Sequence, residues 1–194
     1  MNITRNEIIG ITTSIKPNKK TLFFIQDLLN LIPNSIFFKR KDYKIHQIAF
    51  YFRKKRINNF LILVEKGGKL SDLWQISIEN NLYIQFKIKT ATLKKNTGTK
   101  GIRTNHNPEL IFWNFKGNIG NLLGFFISKL FPDFPNFQGR QVLTFYLIKN
   151  LVFVRFYRYI FSSSGKDVRI QELGPRITLE FLRIYNKFPS KHIY

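Results

Sequence analysis

Cysteine is absent from the 194 residues, and histidine occurs three times at scattered positions, His46, His106 and His192. Disulfides, thiolate zinc centres and cysteine nucleophiles are therefore excluded, and no metal-ligand spacing is offered. A reducing compartment fits such a chain. Acid is also scarce, with 11 Asp and Glu against 32 Lys and Arg, so the formal charge is +21. The acids never come as a close pair, and no Ser, His and Asp constellation stands out, which disfavours an RNA-cleaving or RNA-modifying catalyst and implies no cofactor or small-molecule substrate. No run approaches the roughly 18 apolar residues of a membrane helix. The opening Met1-Asn2-Ile3-Thr4-Arg5-Asn6-Glu7 has no apolar leader core. An intracellular, soluble chain without a membrane partner is expected.

What remains is apolar and basic. Hydrophobic residues make up 44% and aromatic residues 16%, too many for a disordered basic tail. A folded domain with a polyanionic partner follows. Phe, Ile, Lys and Asn number 21, 26, 21 and 18, together 86 residues, and all four have codons built largely of A and T. Lysine excess can therefore arise by mutational drift, and arginine is the cleaner probe of function. Arg140, Arg155, Arg158, Arg169, Arg176 and Arg183 are six of the 11 arginines, accompanied between 140 and 183 only by Lys149 and Lys166. A guanidinium is a planar fork that matches phosphate and stacks on rings, which an ammonium cannot do.

An internal repeat organises the chain. Residues 7–34 set against 109–136, an ungapped offset of 102, share eight identities: Glu7/Glu109, Ile9/Ile111, Phe23/Phe125, Phe24/Phe126, Ile25/Ile127, Leu28/Leu130, Pro33/Pro135 and Asn34/Asn136. Two α/β halves are expected within one domain, 7–97 and 107–194, joined by a linker at 98–106. Each half opens with a strand, 8–13 or 110–115, and then a helix. The apolar stripe of the first helix is read as Leu22, Ile25, Leu29 and Ile32, and that of the second as Ile119, Leu122, Leu123, Phe126, Ile127 and Leu130. A further helix is expected over 44–56 and strands at 60–64 and 82–89. A hairpin is expected with arms 141–148 and 151–161 turning at Lys149-Asn150. The basic stretch 90–107, with Lys94, Lys95, Lys100 and Arg103 and no acid, reads as flexible and able to order on RNA.

Three motifs bear on chemistry. Gly67-Gly68-Lys69-Leu70 departs from a phosphate loop at both ends and reads as a turn. Gly117-Asn118-Ile119-Gly120 resembles a backbone clamp for nucleotides but reads better as close helix packing. Arg155-Phe156-Tyr157-Arg158-Tyr159 alternates forks with rings along a strand, as RNA binding requires, although in a strand one set of rings faces the core.

Ile11-Thr12-Thr13-Ser14 with Pro17, Asp27-Leu28-Leu29 and Ile32-Pro33-Asn34-Ser35 resembles the opening signature of the Brix-domain family. The blocks Phe137-Gln138-Gly139-Arg140-Gln141-Val142, Arg155 to Phe161, and Ile170-Gln171-Glu172-Leu173-Gly174-Pro175-Arg176-Ile177-Thr178-Leu179 extend that resemblance over nearly the whole chain. They favour a large-subunit member over the small-subunit factor that works with a guide RNA. The resemblance implies two pseudo-repeated α/β halves similar to the anticodon-binding domains of class II synthetases. It also implies a non-catalytic role in nucleolar assembly of the large ribosomal subunit, with precursor ribosomal RNA and other assembly factors as partners. Carried over by residue, RNA-facing character falls on Ser14, Lys16, Arg140, Gln141, Arg155, Arg158 and Arg176, beside the basic Lys94, Lys95 and Arg103. The long basic N-terminal extension usual in that family is missing, and this brevity with the A/T-biased composition points to a reduced eukaryotic genome such as a nucleomorph. A small-subunit factor and a protein scaffold docked through the aromatic hairpin remain the alternatives.

Overall fold

A computed structural model describes residues 7–187. The leader reading at residues 1–6, His192 and the end of the C-terminal half lie outside that range. The described residues form two compact units, one of residues 7–88 together with 181–187, the other of residues 89–180.

The first unit contains β1 (Ile9–Thr13), α1 (Lys19–Leu31), β2 (Ser35–Phe37), α2 (Ile45–Lys54), β3 (Asn59–Lys66), β4 (Lys69–Ser77) and most of β5 (Leu82–Thr92). Strand order is β2-β1-β3-β4-β5. β1 runs parallel to β2 and β3, and β3, β4 and β5 follow as an antiparallel meander. Both faces of this sheet are covered, which is why β1 is buried along its whole length and β3 along its first six residues. On one face α2 packs Ile45, Ile48 and Phe52 against Phe60, Ile62, Val64, Trp74 and Ile76. Gly10 permits this approach, because a Cβ there would stand 2.9 Å from the Phe52 ring. On the other face Ile9, Ile11, Leu61, Leu63, Ile84 and Phe86 are equally buried, and Phe24, Ile25, Leu28 and Leu31 of α1 supply the cover.

The α1 stripe differs from the expectation. Thr21, Phe24, Ile25, Leu28 and Leu31 face inward while Leu22 is exposed and Leu29 is half-buried. The helix carries more apolar residues than one face can take, so hydrophobicity alone does not select the face. Asn18 fixes the start of α1 by accepting the Thr21 amide at 2.8 Å, an N-cap that leaves Thr21, not Leu22, on the inner side. Two strands of this unit, β2 and β4, lie outside the expectation. β4 is hidden in the sequence because Ser71, Asp72 and Gln75 interrupt it. Asp72 is nevertheless buried, held by Ser71 Oγ at 2.8 Å, Gln85 Nε2 at 3.3 Å and Lys66 Nζ at 2.9 Å.

The second unit repeats the frame. It contains β6 (Glu109–Trp113), α3 (Gly117–Ser128), β7 (Gln141–Ile148), β8 (Leu151–Phe161), β9 (Val168–Glu172) and the first half of β10 (Arg176–Tyr185). β6 is parallel to β7, β7 and β8 form the expected antiparallel hairpin, turning at Lys149-Asn150, and β8 then pairs with β10 and β9. β1-α1-β3-β4 and β6-α3-β7-β8 are thus the same arrangement. The offset of 102 survives in the helices and the turn that follows α3. Phe24/Phe126, Ile25/Ile127 and Leu28/Leu130 are buried in both, while Phe23 and Phe125 are 51% and 50% exposed. It slips in the strands, where β1 starts at 9 and β6 at 109. Ile119, expected inside, is exposed, because Gly120 already lies against the Phe115 backbone, where a Cβ would come within 2.8 Å. Gly120 is thus a close packing contact of the helix, Gly117 opens α3 at φ 71 in open space, and Gly67-Gly68, both at positive φ, form the β3–β4 turn.

The stretch 90–107 is not a flexible spacer. β5 continues to Thr92, a 3-10 turn occupies Lys94–Asn96, and the chain then lies as a strap against the second unit. A Cβ on Gly101 would fall 2.6 Å from Leu173 Cδ2, and one on Gly139 would fall 2.4 Å from His106 Cβ. Such distances leave no room for a side chain at either crossing.

Candidate nucleic-acid interface

Alternation along β7 and β8 divides the sheet of the second unit into two faces. Leu143, Phe145 and Leu147 of β7 pair with Phe156, Val154 and Val152 of β8, and all are buried. Phe112 stacks on Phe145 at 4.9 Å, and Gly124 of α3 lies near Phe112. α3 therefore covers this face. No second helix is present among the described residues of this unit, so the counterpart of α2 is missing and the opposite face is open.

That open face is aromatic and basic. Trp113 pairs with Tyr146 and Tyr146 with Phe153; Ile111 pairs with Thr144 and Thr144 with Arg155; Val142 lies between Glu109 and Tyr157. Tyr157, Tyr159 and Phe161 continue along β8 opposite Glu172, Ile170 and Val168 of β9. Trp113 is 68% exposed, and Tyr146, Phe161 and Ile170 are exposed as well. The guanidinium of Arg140 sits 5.5 Å over the Phe161 ring. Arg140 adopts φ 48, ending a 3-10 turn at Phe137–Gly139, and its carbonyl accepts the Tyr159 amide at 3.0 Å. Tyr159 Oη donates to Glu109 Oε1 at 2.7 Å, a bond that raises its pKa. Arg176 grips Glu172 with Nε at 2.7 Å and Nη2 at 2.6 Å. This fork holds the Glu172 carboxyl below the usual carboxylate range against the opposing pull of burial.

The remaining candidates separate. Ser14 is buried, its amide donating to Leu63 O at 2.8 Å and its hydroxyl accepting from the Glu65 amide at 3.4 Å. It joins β1 to β3. Lys16 is exposed on the following turn at φ 55. Gln141 is 1% exposed and clamps the strap: its Oε1 accepts the Thr104 amide at 2.9 Å, and its Nε2 donates to the carbonyls of Thr104 at 3.2 Å and His106 at 3.0 Å. Arg155 Nη1 donates to the carbonyls of Val154 at 2.8 Å and Ile177 at 3.0 Å, at the place where β8 exchanges β10 for β9 as its neighbour. Arg158 pairs with Gln141 and Gln171, on the covered face, with Nε and Nη2 buried and without a hydrogen-bond partner. Arg103 lies on the strap, its pKa lowered by burial. Lys94 and Lys95 occupy the 3-10 turn, where the Lys94 backbone lies against Gly174.

The geometry thus gathers Arg140, Arg176 and the rings of β8 on one surface and gives Ser14, Gln141 and Arg155 structural contacts. Reading the sequence missed Trp113, Tyr146 and Phe153, which belong to the same surface. Their signal was present as single rings at the outward positions of alternating strands. Among the described residues no group of three His, Asp or Glu could hold a metal, and no helix is long and apolar enough to cross a membrane.

The family model for the Brix domain matches residues 14–183. Ribosome production factor 1 of Xenopus laevis is 35% identical over 187 residues, covering 95% of this chain and 54% of that protein. Ribosome production factor 1 of Saccharomyces cerevisiae is 32% identical over 177 residues, covering 91% and 60%. The chain therefore spans little more than half the length of these curated relatives. Among solved structures, a probable ribosomal biogenesis protein from Aeropyrum pernix K1 superposes with a TM-score of 0.63 at 18% identity, covering 90% of this chain and 96% of that one. That likeness shows a shared fold.

Proposed function

Because the chain belongs to the Brix-domain family, we propose that it is a non-catalytic ribosome-assembly factor that binds precursor RNA of the large ribosomal subunit on the open face of its second unit. On this reading it works in the nucleolus alongside other assembly factors. One observation carries the proposal. The face left without a helix presents Trp113, Tyr146, Tyr157, Tyr159 and Phe161 together with Arg140 and Arg176. Rings on a sheet stack unpaired bases for about 1–3 kcal/mol each, and guanidinium groups contact phosphate. Lys16, Lys95 and Arg103 extend the reading to basic positions outside that face.

Crosslinking the native protein in cells and sequencing the attached RNA tests both RNA class and subunit. Large-subunit precursor segments attached through residues of β6, β7 or β8 are expected. Exclusive recovery of small-subunit precursor would favour the other branch of the family. Binding in vitro should also weaken with salt, each phosphate contact adding about −0.7 to −0.9 to the log-log slope. Absence of RNA crosslinks together with salt-insensitive association with a protein would overturn the proposal in favour of a scaffold.

A further inference from the structure

A second surface lies on the first unit and has no part in the RNA reading. The segment 38–56 carries eight Lys and Arg and a single acid, Asp42. It folds as a loop that turns at Lys41-Asp42, followed by α2, and between them runs a groove of about 770 Å³ whose lining includes Phe38, Lys39, Lys41, His46, Phe50 and Tyr51. The periodicity of α2 explains it. Ile45, Ile48 and Phe52 point to the sheet, so Phe50 and Tyr51 fall on the other side, with Phe50 61% exposed. Tyr43 is likewise exposed.

We propose that this groove docks an acidic amphipathic segment of a partner protein, a helix whose apolar stripe enters the groove while its carboxylates meet the lysines of the rim. Charge complementarity selects the occupant. Lys39, Lys41 and His46 line the groove, Lys54 Nζ stands 4.6 Å from the Phe50 ring centroid and Lys55 Nζ 5.9 Å from that of Tyr51. An ammonium beside each exposed ring is well placed to pair with a carboxylate. The floor points the same way. Phe38 meets Phe52 edge-on at 4.8 Å and Tyr51 at 5.9 Å, so it offers a concave seat for aliphatic side chains instead of flat ring faces. An apolar stripe in a hydrophobic groove is an established mode of peptide recognition, and acidic flanks fix its orientation.

The test is to pan a phage library of random 16-residue peptides against the full chain and measure the enriched peptides by fluorescence anisotropy. Enriched sequences should combine Asp or Glu with apolar residues at i, i+3 or i+4 and i+7. Their affinity should fall tenfold or more in Phe50→Ser and severalfold in the double charge reversal Lys39→Glu/Lys41→Glu, with Arg140→Ala on the second unit leaving it unchanged. These substitutions are on exposed side chains, and thermal melting identifies a variant that loses its fold, in which case the other decides. Failure to enrich acidic amphipathic peptides, or enrichment of peptides indifferent to both groove variants, overturns the proposal. So does protection of Phe50 and Tyr51 by a single-stranded RNA oligonucleotide in hydroxyl-radical footprinting. Loss of RNA binding to the second unit would leave this result untouched, so the two readings fail separately.

Discussion

Replacing Gln141 by alanine should release the strap at residues 101–106. The side-chain amide makes three hydrogen bonds to strap backbone, one accepted from Thr104 and two donated to Thr104 and His106. Each is worth about 0.5–1.5 kcal/mol net, so their joint loss is about 2–4 kcal/mol if the strap stays in place. Release of the strap into water would rehydrate the freed groups and lower that figure, but it would also expose Leu173, against which Gly101 is packed. The clearest readout is therefore local. The Thr104 amide should exchange slowly in the parent protein, and in Gln141→Ala it should exchange about 30- to 1,000-fold faster, since 1.4 kcal/mol corresponds to a factor of ten. Gln141→Glu should be worse at neutral pH despite its nearly identical shape. One oxygen can still accept from Thr104, but the other faces two carbonyls. Burial among acceptors raises that carboxyl's pKa in the folded state, so the penalty grows as pH rises through it. Hydrogen exchange followed by NMR, with a denaturant melt for global stability, checks all three proteins. An unprotected Thr104 in the parent, or unchanged protection in Gln141→Ala, would refute the clamp and restore the flexible-linker reading.

Arg158→Met should leave stability unchanged or raise it, because it removes two buried nitrogens that have no partner; a chemical melt showing a loss above about 2 kcal/mol contradicts this. Arg140→Lys keeps charge but weakens the planar contact with Phe161, so RNA affinity should fall at constant net charge, whereas Lys95→Arg should have little effect. Filter binding at fixed salt separates the two, and equal affinities would remove the fork from the argument. Glu172 has its folded pKa lowered first by the Arg176 bond. Its contribution to stability is therefore present above the unfolded carboxylate pKa and lost as pH falls through the lower folded value. Melts from pH 7 to 3 should show this acid-limb loss in the parent and less of it in Arg176→Gln.

The hairpin was legible because its arms alternate and its turn is two polar residues, and the structure places it at Gln141–Ile148 and Leu151–Phe161. The helices were legible in position but not in facing, as Leu22 and Ile119 show. Excess apolar residues make the stripe ambiguous, and the deciding features, the Asn18 cap and the contact of Gly120 with Phe115, are single atoms' worth of geometry. β4 was hidden because a buried acid reads as a surface residue until its partners are known. Arginine clustering after residue 139 singled out a segment that lies mostly in the second unit. It did not separate Arg140, stacked on the open face, from Arg155, which ties carbonyls, or Arg158, which points to the covered side. Register decides that, and a shift of one residue exchanges the faces.

The two units also explain why one set of strands is uniformly apolar and another alternates. In the first, helices cover both faces, and Phe60-Leu61-Ile62-Leu63-Val64 can be apolar throughout. In the second, α3 and the strap cover one face, no second α-helix is present among the described residues, and burial along β7 follows strict alternation of more and less buried positions. Outward positions of a strand with one solvated face are ordinarily polar. Here they include Trp113, Tyr146, Tyr157, Tyr159 and Phe161. An excess of lysine does not put tryptophan on an open sheet, and a structural role for these rings would call for a second covering helix, which is absent among the described residues of this unit. An exposed aromatic surface of this kind marks a place where something binds. Arg140 over Phe161 and Arg176 beside Glu172 surround it with guanidinium groups, and the RNA partner proposed above would meet both features, with planar bases on the rings and phosphates on the guanidinium groups.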